Sequence, residues 1–110
     1  MNISITFRQM DATEAVKGYA NDKVAKLQKF LRQPLHGSVT LSCQKMQNLV
    51  EVDLHSGGQH YHAHDTNEDM YATIDMVVEK LERQIRDEHG SHKKKGAERA
   101  SGKLLPDTED

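Results

Sequence analysis

Residues 67–90, NEDMYATIDMVVEKLERQIRDEHG, are the stretch that decides the fold of this chain. Their apolar side chains recur at steps of three and four residues, which is the spacing of one face of an α-helix. Asn67 or Thr66 can cap the start of such a helix, and Gly90 is a natural stop. The stretch therefore predicts an amphipathic helix that buries one face in a core. The residues of that face are Met70, Ile74, Val77, Val78, Leu81 and Ile85.

A second helix is predicted over residues 13–31, with Asp11 or Thr13 as its N-cap. On both helices, basic residues follow one another at three-residue steps, away from the apolar face. They are Lys23, Lys26 and Lys29 on the first helix and Lys80, Arg83 and Arg86 on the second. One such ridge is usually only a solvated surface, whereas two ridges, followed by lysines at positions 93–95, are also typical of a surface that binds RNA phosphates. On charge pattern alone, solvation and RNA binding both remain open.

Four further segments alternate apolar and polar residues, which is the period of a half-buried β-strand. They are residues 2–8, 38–45, 49–55 and 59–65, with turns at 46–48 and at Gly57-Gly58. A two-residue turn at the glycines fixes the register of the last two strands. It pairs Leu54 with Tyr61 and Val52 with Ala63 on the inward face, and His55 with His60, Asp53 with His62 and Glu51 with His64 on the outward face. The order β-α-β-β-β-α predicts an α+β fold, a two-layer sandwich in which a four-stranded sheet carries both helices on one face.

Composition bounds the class of protein. The chain has 110 residues, a formal net charge of −2, seven histidines and one cysteine. This length predicts one domain, residues 1–90, followed by a flexible charged tail, residues 91–110. Cys43 lies at an inward strand position, where a small buried side chain is expected, and a lone cysteine suits a reducing cytoplasm. The sequence shows no signal-peptide pattern and no apolar run of membrane length. It also shows no catalytic constellation, so we do not expect an enzyme.

The outward strand positions concentrate histidines beside carboxylates. Imidazoles on neighbouring strands can hold a divalent transition metal together with a carboxylate. The alternative is an exposed polar surface, which an open sheet favours because it offers no closed surroundings for an ion. We therefore expect no required cofactor and at most an adventitious metal. The candidate ligands are His55, His60 and His62.

Four segments of the chain resemble the ribosome hibernation promoting factor and ribosome-associated inhibitor family, which is also called the sigma-54 modulation protein family. DMYATID opens the last helix and KLERQI lies near its end, while RQMDATEAV leads into the first helix and DKVAKLQKF lies within it. The resemblance covers about residues 1–90. It implies the same strand and helix order that the periodicity predicts.

The resemblance also implies a function. Family members are cytoplasmic bacterial proteins that occupy the channel for messenger RNA and the A- and P-site transfer RNAs on the small ribosomal subunit during starvation or stationary phase. By position, the residues contacting ribosomal RNA would be Lys23, Lys26, Lys29, Lys80, Arg83 and Arg86, with Arg8 and Lys45 as weaker additions.

The resemblance bears on the oligomeric state as well. Long members carry a second, dimerising domain for which the chain after residue 90 has no room, so a monomer is expected. The tail looks more like that of the inhibitor form, and whether single or paired ribosomes result stays open. Two other functions also stay open: a general double-stranded RNA-binding module and a metal-binding protein that uses the histidine face.

Overall fold

The elements of the fold follow the predicted order. The computed structural model describes residues 1–94, and for residues 89–94 the backbone alone. The elements are β1 Asn2–Arg8, α1 Glu14–Ala25, a short 3₁₀ helix Lys26–Phe30, β2 Leu35–Gln44, β3 Gln47–Ser56, β4 Gln59–Asn67 and α2 Met70–Lys94. The β-α-β-β-β-α order is thereby confirmed. None of the helices in this part of the chain is long and apolar enough to cross a membrane.

The four strands form one mixed sheet in the order β1-β2-β3-β4. β1 is parallel to β2, as a strand–helix–strand crossover requires, and the other two pairs are antiparallel. The predicted register of the last pair is confirmed throughout: Leu54 lies opposite Tyr61, Val52 opposite Ala63, His55 opposite His60, Asp53 opposite His62 and Glu51 opposite His64.

The core lies between one face of the sheet and the two helices. Predicted inward residues of the central strands, such as Val52 and Leu54, are almost completely buried. Cys43 is only half-buried, so the expectation of a buried side chain at that position was wrong. α2 buries Met70, Ile74, Val77, Leu81 and Ile85, while Val78 packs partly buried at the margin. The apolar faces read from periodicity therefore form one core, and the predicted two-layer sandwich is confirmed.

The first helix ends earlier than predicted. α1 stops at Ala25, residues 26–30 tighten into the 3₁₀ helix, and Leu31 is already extended with φ −119° and ψ 143°. The Gln28 side chain holds the exit, since its amide donates to the Gln33 carbonyl at 2.9 Å and its oxygen accepts from Leu35 N at 2.7 Å. The prediction of a helix to Leu31 was wrong there because the chain must already turn back to start β2 at Leu35. The predicted cap is confirmed, since Thr13 accepts from Val16 N at 3.2 Å.

Both ends of α2 differ from the prediction. The N-cap is Asp69, whose carboxylate accepts from Tyr71 N at 2.9 Å, and Asn67 instead accepts from Asp69 N at 2.9 Å. Asn67 and Thr66 cannot serve as the cap because β4 continues to Asn67. Gly90 does not end the helix, which continues to Lys94, so glycine here costs helix stability without breaking it. The remainder of the predicted tail, residues 95–110, lies outside the described residues.

The two hairpin turns use left-handed backbone in different ways. The β2–β3 turn lies at Lys45 and Met46, with φ 49° and 67°, and not at 46–48 as predicted. In the β3–β4 turn only Gly57 has a positive φ, 61°, which is typical of a type II′ turn. A Cβ on Gly57 would also lie 2.9 Å from Gln33 Cγ, whereas a Cβ on Gly58 would have no neighbour within 4 Å.

This difference gives a matched pair of variants. Gly57→Ala is expected to lower the free energy of unfolding by about 1–2 kcal/mol, because it combines a left-handed backbone with a clash. Gly58→Ala is expected to change it by less than about 0.5 kcal/mol. Urea denaturation followed by circular dichroism measures both, and equal effects would contradict the turn geometry described here.

Candidate nucleic-acid interface

A polar contact fixes the two helices to each other. The Tyr19 hydroxyl of α1 donates to Asp75 Oδ1 of α2 at 2.7 Å, and Lys23 Nζ lies 3.6 Å from the same oxygen. The hydrogen bond to Asp75 raises the pKa of the Tyr19 hydroxyl, which therefore remains a donor. Tyr19 also contacts Tyr71, and Phe30 contacts Arg86. The later residue of the first segment, Phe30, contacts the later residue of α2, Arg86. α1 and α2 therefore run side by side in the same direction.

A groove of about 290 Å³ lies between the helices. Its two walls carry opposite charge. The wall from α1 and the 3₁₀ helix includes Lys23, Lys26, Lys29 and Phe30, and the wall from α2 includes Asp75, Val78, Glu79 and Glu82. The predicted lysines of the first helix therefore do lie together, but they face an acidic wall.

Two cations from different elements meet at Phe30. Lys29 Nζ lies 5.3 Å and Arg86 Cζ lies 5.6 Å from the centre of the Phe30 ring, within the range of cation–π attraction. Arg86 also pairs with Glu82 at 3.2 Å. Arg86 belongs to α2 and does not line the groove, but it contacts the lysine wall through the Phe30 ring.

The other two basic residues of α2 point elsewhere. Lys80 Nζ lies 3.0 Å from the His64 carbonyl oxygen and 3.2 Å from Asp65 Oδ2, so it rests against the edge of β4. Arg83 lies on the outer surface, beside Glu79 and Asp87. Three residues turn an α-helix by about 300°, which is about 60° short of a full turn. Each successive basic residue of the ridge is therefore displaced by about 60° around the helix axis. The predicted ridge on α2 therefore crosses from one flank to the other.

Lys80 also affects the carboxyl group that it contacts. Burial raises the pKa of Asp65, but the hydrogen bond from Thr66 N and the Lys80 ammonium together outweigh it and lower the pKa overall. Asp65 is therefore ionised at neutral pH and holds Lys80 at the sheet edge.

The open face of the sheet carries the histidine cluster. Asp53 Oδ1 lies 2.7 Å from His62 Nδ1 and 3.4 Å from His60 Nε2, and the His62 hydrogen bond lowers the pKa of Asp53. The His55 and His60 rings stack with their centres 4.3 Å apart. In these side-chain positions, no three histidine, cysteine or carboxylate groups of the described residues lie close enough together to hold a metal ion.

Sequence reasoning missed two features of these surfaces. His36 lies opposite His55 and extends the cluster to a row across three strands, because β2 begins at Leu35 and not at 38. Alternation counted from Leu35 would have shown it. The contacts of Tyr19 with Asp75 and with Tyr71 were also missed, and no local pattern signals them because the partners lie more than fifty residues apart.

Comparison with known proteins places the chain in a family. Residues 3–93 match the family model described as sigma 54 modulation protein / S30EA ribosomal protein. A protein named ribosome hibernation promoting factor from Azotobacter vinelandii is 32% identical over 108 residues, covering 98% of this chain and 97% of its own length. One of the same name from Salmonella typhimurium is 33% identical over 85 residues, covering 77% of this chain and 90% of its own. The chain belongs to the sigma 54 modulation protein / S30EA ribosomal protein family, which confirms the resemblance.

A solved structure agrees with this assignment. The N-terminal domain of Protein Y from Thermus thermophilus superposes with a TM-score of 0.74 at 28% identity, covering 79% of this chain and 98% of that domain. The α+β sandwich described above is thus the fold of that domain as well.

The histidine face yields a prediction about metal. Ni²⁺ or Zn²⁺ is expected to bind the purified protein at neutral pH and to be released in acid, because protons compete with the metal for the imidazole nitrogens. The double variant His60→Ala/His62→Ala is expected to lose this binding in calorimetric titration. The matched control is His36→Ala, because His36 lies at the end of the histidine row that is farthest from β4. This variant is expected to retain metal binding. Equal uptake by wild type and the double variant would show that the metal prediction is wrong.

Proposed function

We propose that this protein is a ribosome hibernation factor, which binds the small ribosomal subunit and represses translation without catalysing a reaction. The observation that carries the proposal is the pair of matches over nearly the whole domain, to the family over residues 3–93 and to a ribosome hibernation promoting factor over 108 residues. In this proposal the protein is a cytoplasmic monomer that lies in the channel for messenger RNA and the A- and P-site transfer RNAs. It would act there under starvation or in stationary phase.

The arrangement of charge supports RNA contact through the helical side. With a formal net charge of −2, the chain as a whole is not attracted to RNA, so any attraction must be local. Lys23, Lys26 and Lys29 lie along one wall of the groove, and Arg86 joins them at Phe30. Several cations on a rigid surface are what contact with a phosphate backbone requires.

Ion pairing separates these cations into two groups. Asp75 partly neutralises Lys23, Glu82 pairs with Arg86, and Asp65 pairs with Lys80. Of the six candidate cations, Lys26, Lys29 and Arg83 have no ion-pair partner among the described residues, and Lys29 contacts the Phe30 ring. We therefore expect Lys26 and Arg83, which have neither an ion pair nor a cation–π contact, to lose the least on contacting phosphates.

The test is the salt dependence of binding to purified small subunits. Each lost phosphate contact reduces the slope of log affinity against log salt by about 0.7–0.9, so Lys26→Gln/Arg83→Gln should reduce it by about 1.4–1.8. Lys17→Gln is the matched control. Lys17 is two residues from Tyr19 and therefore points to the opposite side of α1, away from α2, so its loss should leave the slope unchanged.

The same experiment separates this proposal from a general RNA-binding module. Excess duplex RNA should compete poorly with the small subunit if the site recognises the ribosome. Equal slopes for the double variant and wild type, or full competition by duplex RNA, would contradict the proposal.

A further inference from the structure

Tyr71 is a large side chain that the core does not use. It lies in the first turn of α2 and is 41% exposed, and the other large exposed hydrophobic residues of the described chain are the methionines Met1 and Met46. Its ring centre lies 4.9 Å from that of Tyr19, with the rings at 85°. Two of the three tyrosines of the chain thus form one edge-to-face pair at the surface.

This pair is held rigidly. The Tyr19 hydroxyl is bound to Asp75 at 2.7 Å, and Lys23 Nζ lies 5.4 Å from the centre of the Tyr19 ring. The backbone of Tyr71 is fixed by the Asp69 cap at 2.9 Å. A tyrosine has only two side-chain torsions, so a ring supported in this way loses little conformational entropy when a ligand stacks on it.

The position of the pair indicates what the ligand is. Tyr71 lies one helical turn before Asp75, and Asp75 and Lys23 stand where the groove begins. An aromatic ring at the end of a line of lysines is the combination that binds single-stranded nucleic acid, where bases stack on rings and cations follow the backbone. The polar surroundings, with Lys23 and Asp75 beside the rings, do not form the continuous apolar groove that a peptide helix would need.

We propose that Tyr71 is a stacking platform for an unpaired base of the bound RNA, and that the lysine wall of the groove carries the backbone leading away from it. This rests on the proposed function and adds a contact that is independent of charge. Base stacking of this kind does not depend strongly on which base is present.

The test compares three variants of Tyr71 in binding to purified small subunits. Tyr71→Leu keeps apolar bulk but removes the ring, and it is expected to weaken binding about five- to hundredfold while the salt slope stays the same. Tyr71→Phe and Tyr71→Trp keep a ring and are expected to bind within about twofold of wild type or more tightly. Thermal melting checks that all three variants are folded. Leucine and phenylalanine are both large apolar side chains, so a difference in affinity between Tyr71→Leu and Tyr71→Phe reports the aromatic ring and not a loss of bulk.

The outcomes separate this inference from the proposed function. Equal affinity of the Leu, Phe and wild-type proteins would overturn the stacking platform. If Lys26→Gln/Arg83→Gln still weakens binding in that case, the proposed function stands without it. If neither change affects binding, both are wrong. A Tyr71→Leu variant that also changes the salt slope would show that its effect is a rearrangement of the lysine wall, which would likewise overturn the inference.

Discussion

The structure depends on one constraint, which is that only one face of the sheet is apolar. Val50, Val52 and Leu54 on β3 all point to that face, as do Tyr61 and Ala63 on β4. Burying them requires cover, and both helices therefore pack on the same side. The helices consequently lie next to each other, and residues more than fifty positions apart in the sequence, such as Tyr19 and Asp75, come into hydrogen-bonding contact.

The same constraint divides the surface into two chemically different sides. The helical side carries the groove with its lysine wall and the Tyr19–Tyr71 pair. The sheet side carries histidines around a carboxylate, Asp53, whose pKa is lowered mainly by its hydrogen bond to His62. Because the sheet and the core separate these sides, an RNA on the helices and a metal on the strands would not compete for the same side chains.

Much of the fold could be predicted because its signals are local. The two-residue turn at Gly57 and Gly58 set the β3–β4 register, and periodicity gave the buried face of α2. What failed depended on contacts that a local pattern does not contain. Whether Lys80 or Arg86 lies near the lysine wall depends on how α2 is rotated over the sheet. The N-cap of α2 is Asp69 because β4 extends to Asn67. The family motifs indicated the basic residues but not that Asp75, Glu79 and Glu82 face the lysines.

The central claim is that the helical side, and not the histidine face, contacts the ribosome. Chemical footprinting tests it most directly, with lysine acetylation and histidine carbethoxylation of the free and subunit-bound protein compared residue by residue by mass spectrometry. The account predicts that Lys23, Lys26 and Lys29 become protected on binding, while His55 and His60 react as they do in the free protein. Protection of the two histidines with unchanged reactivity of the three lysines would contradict it.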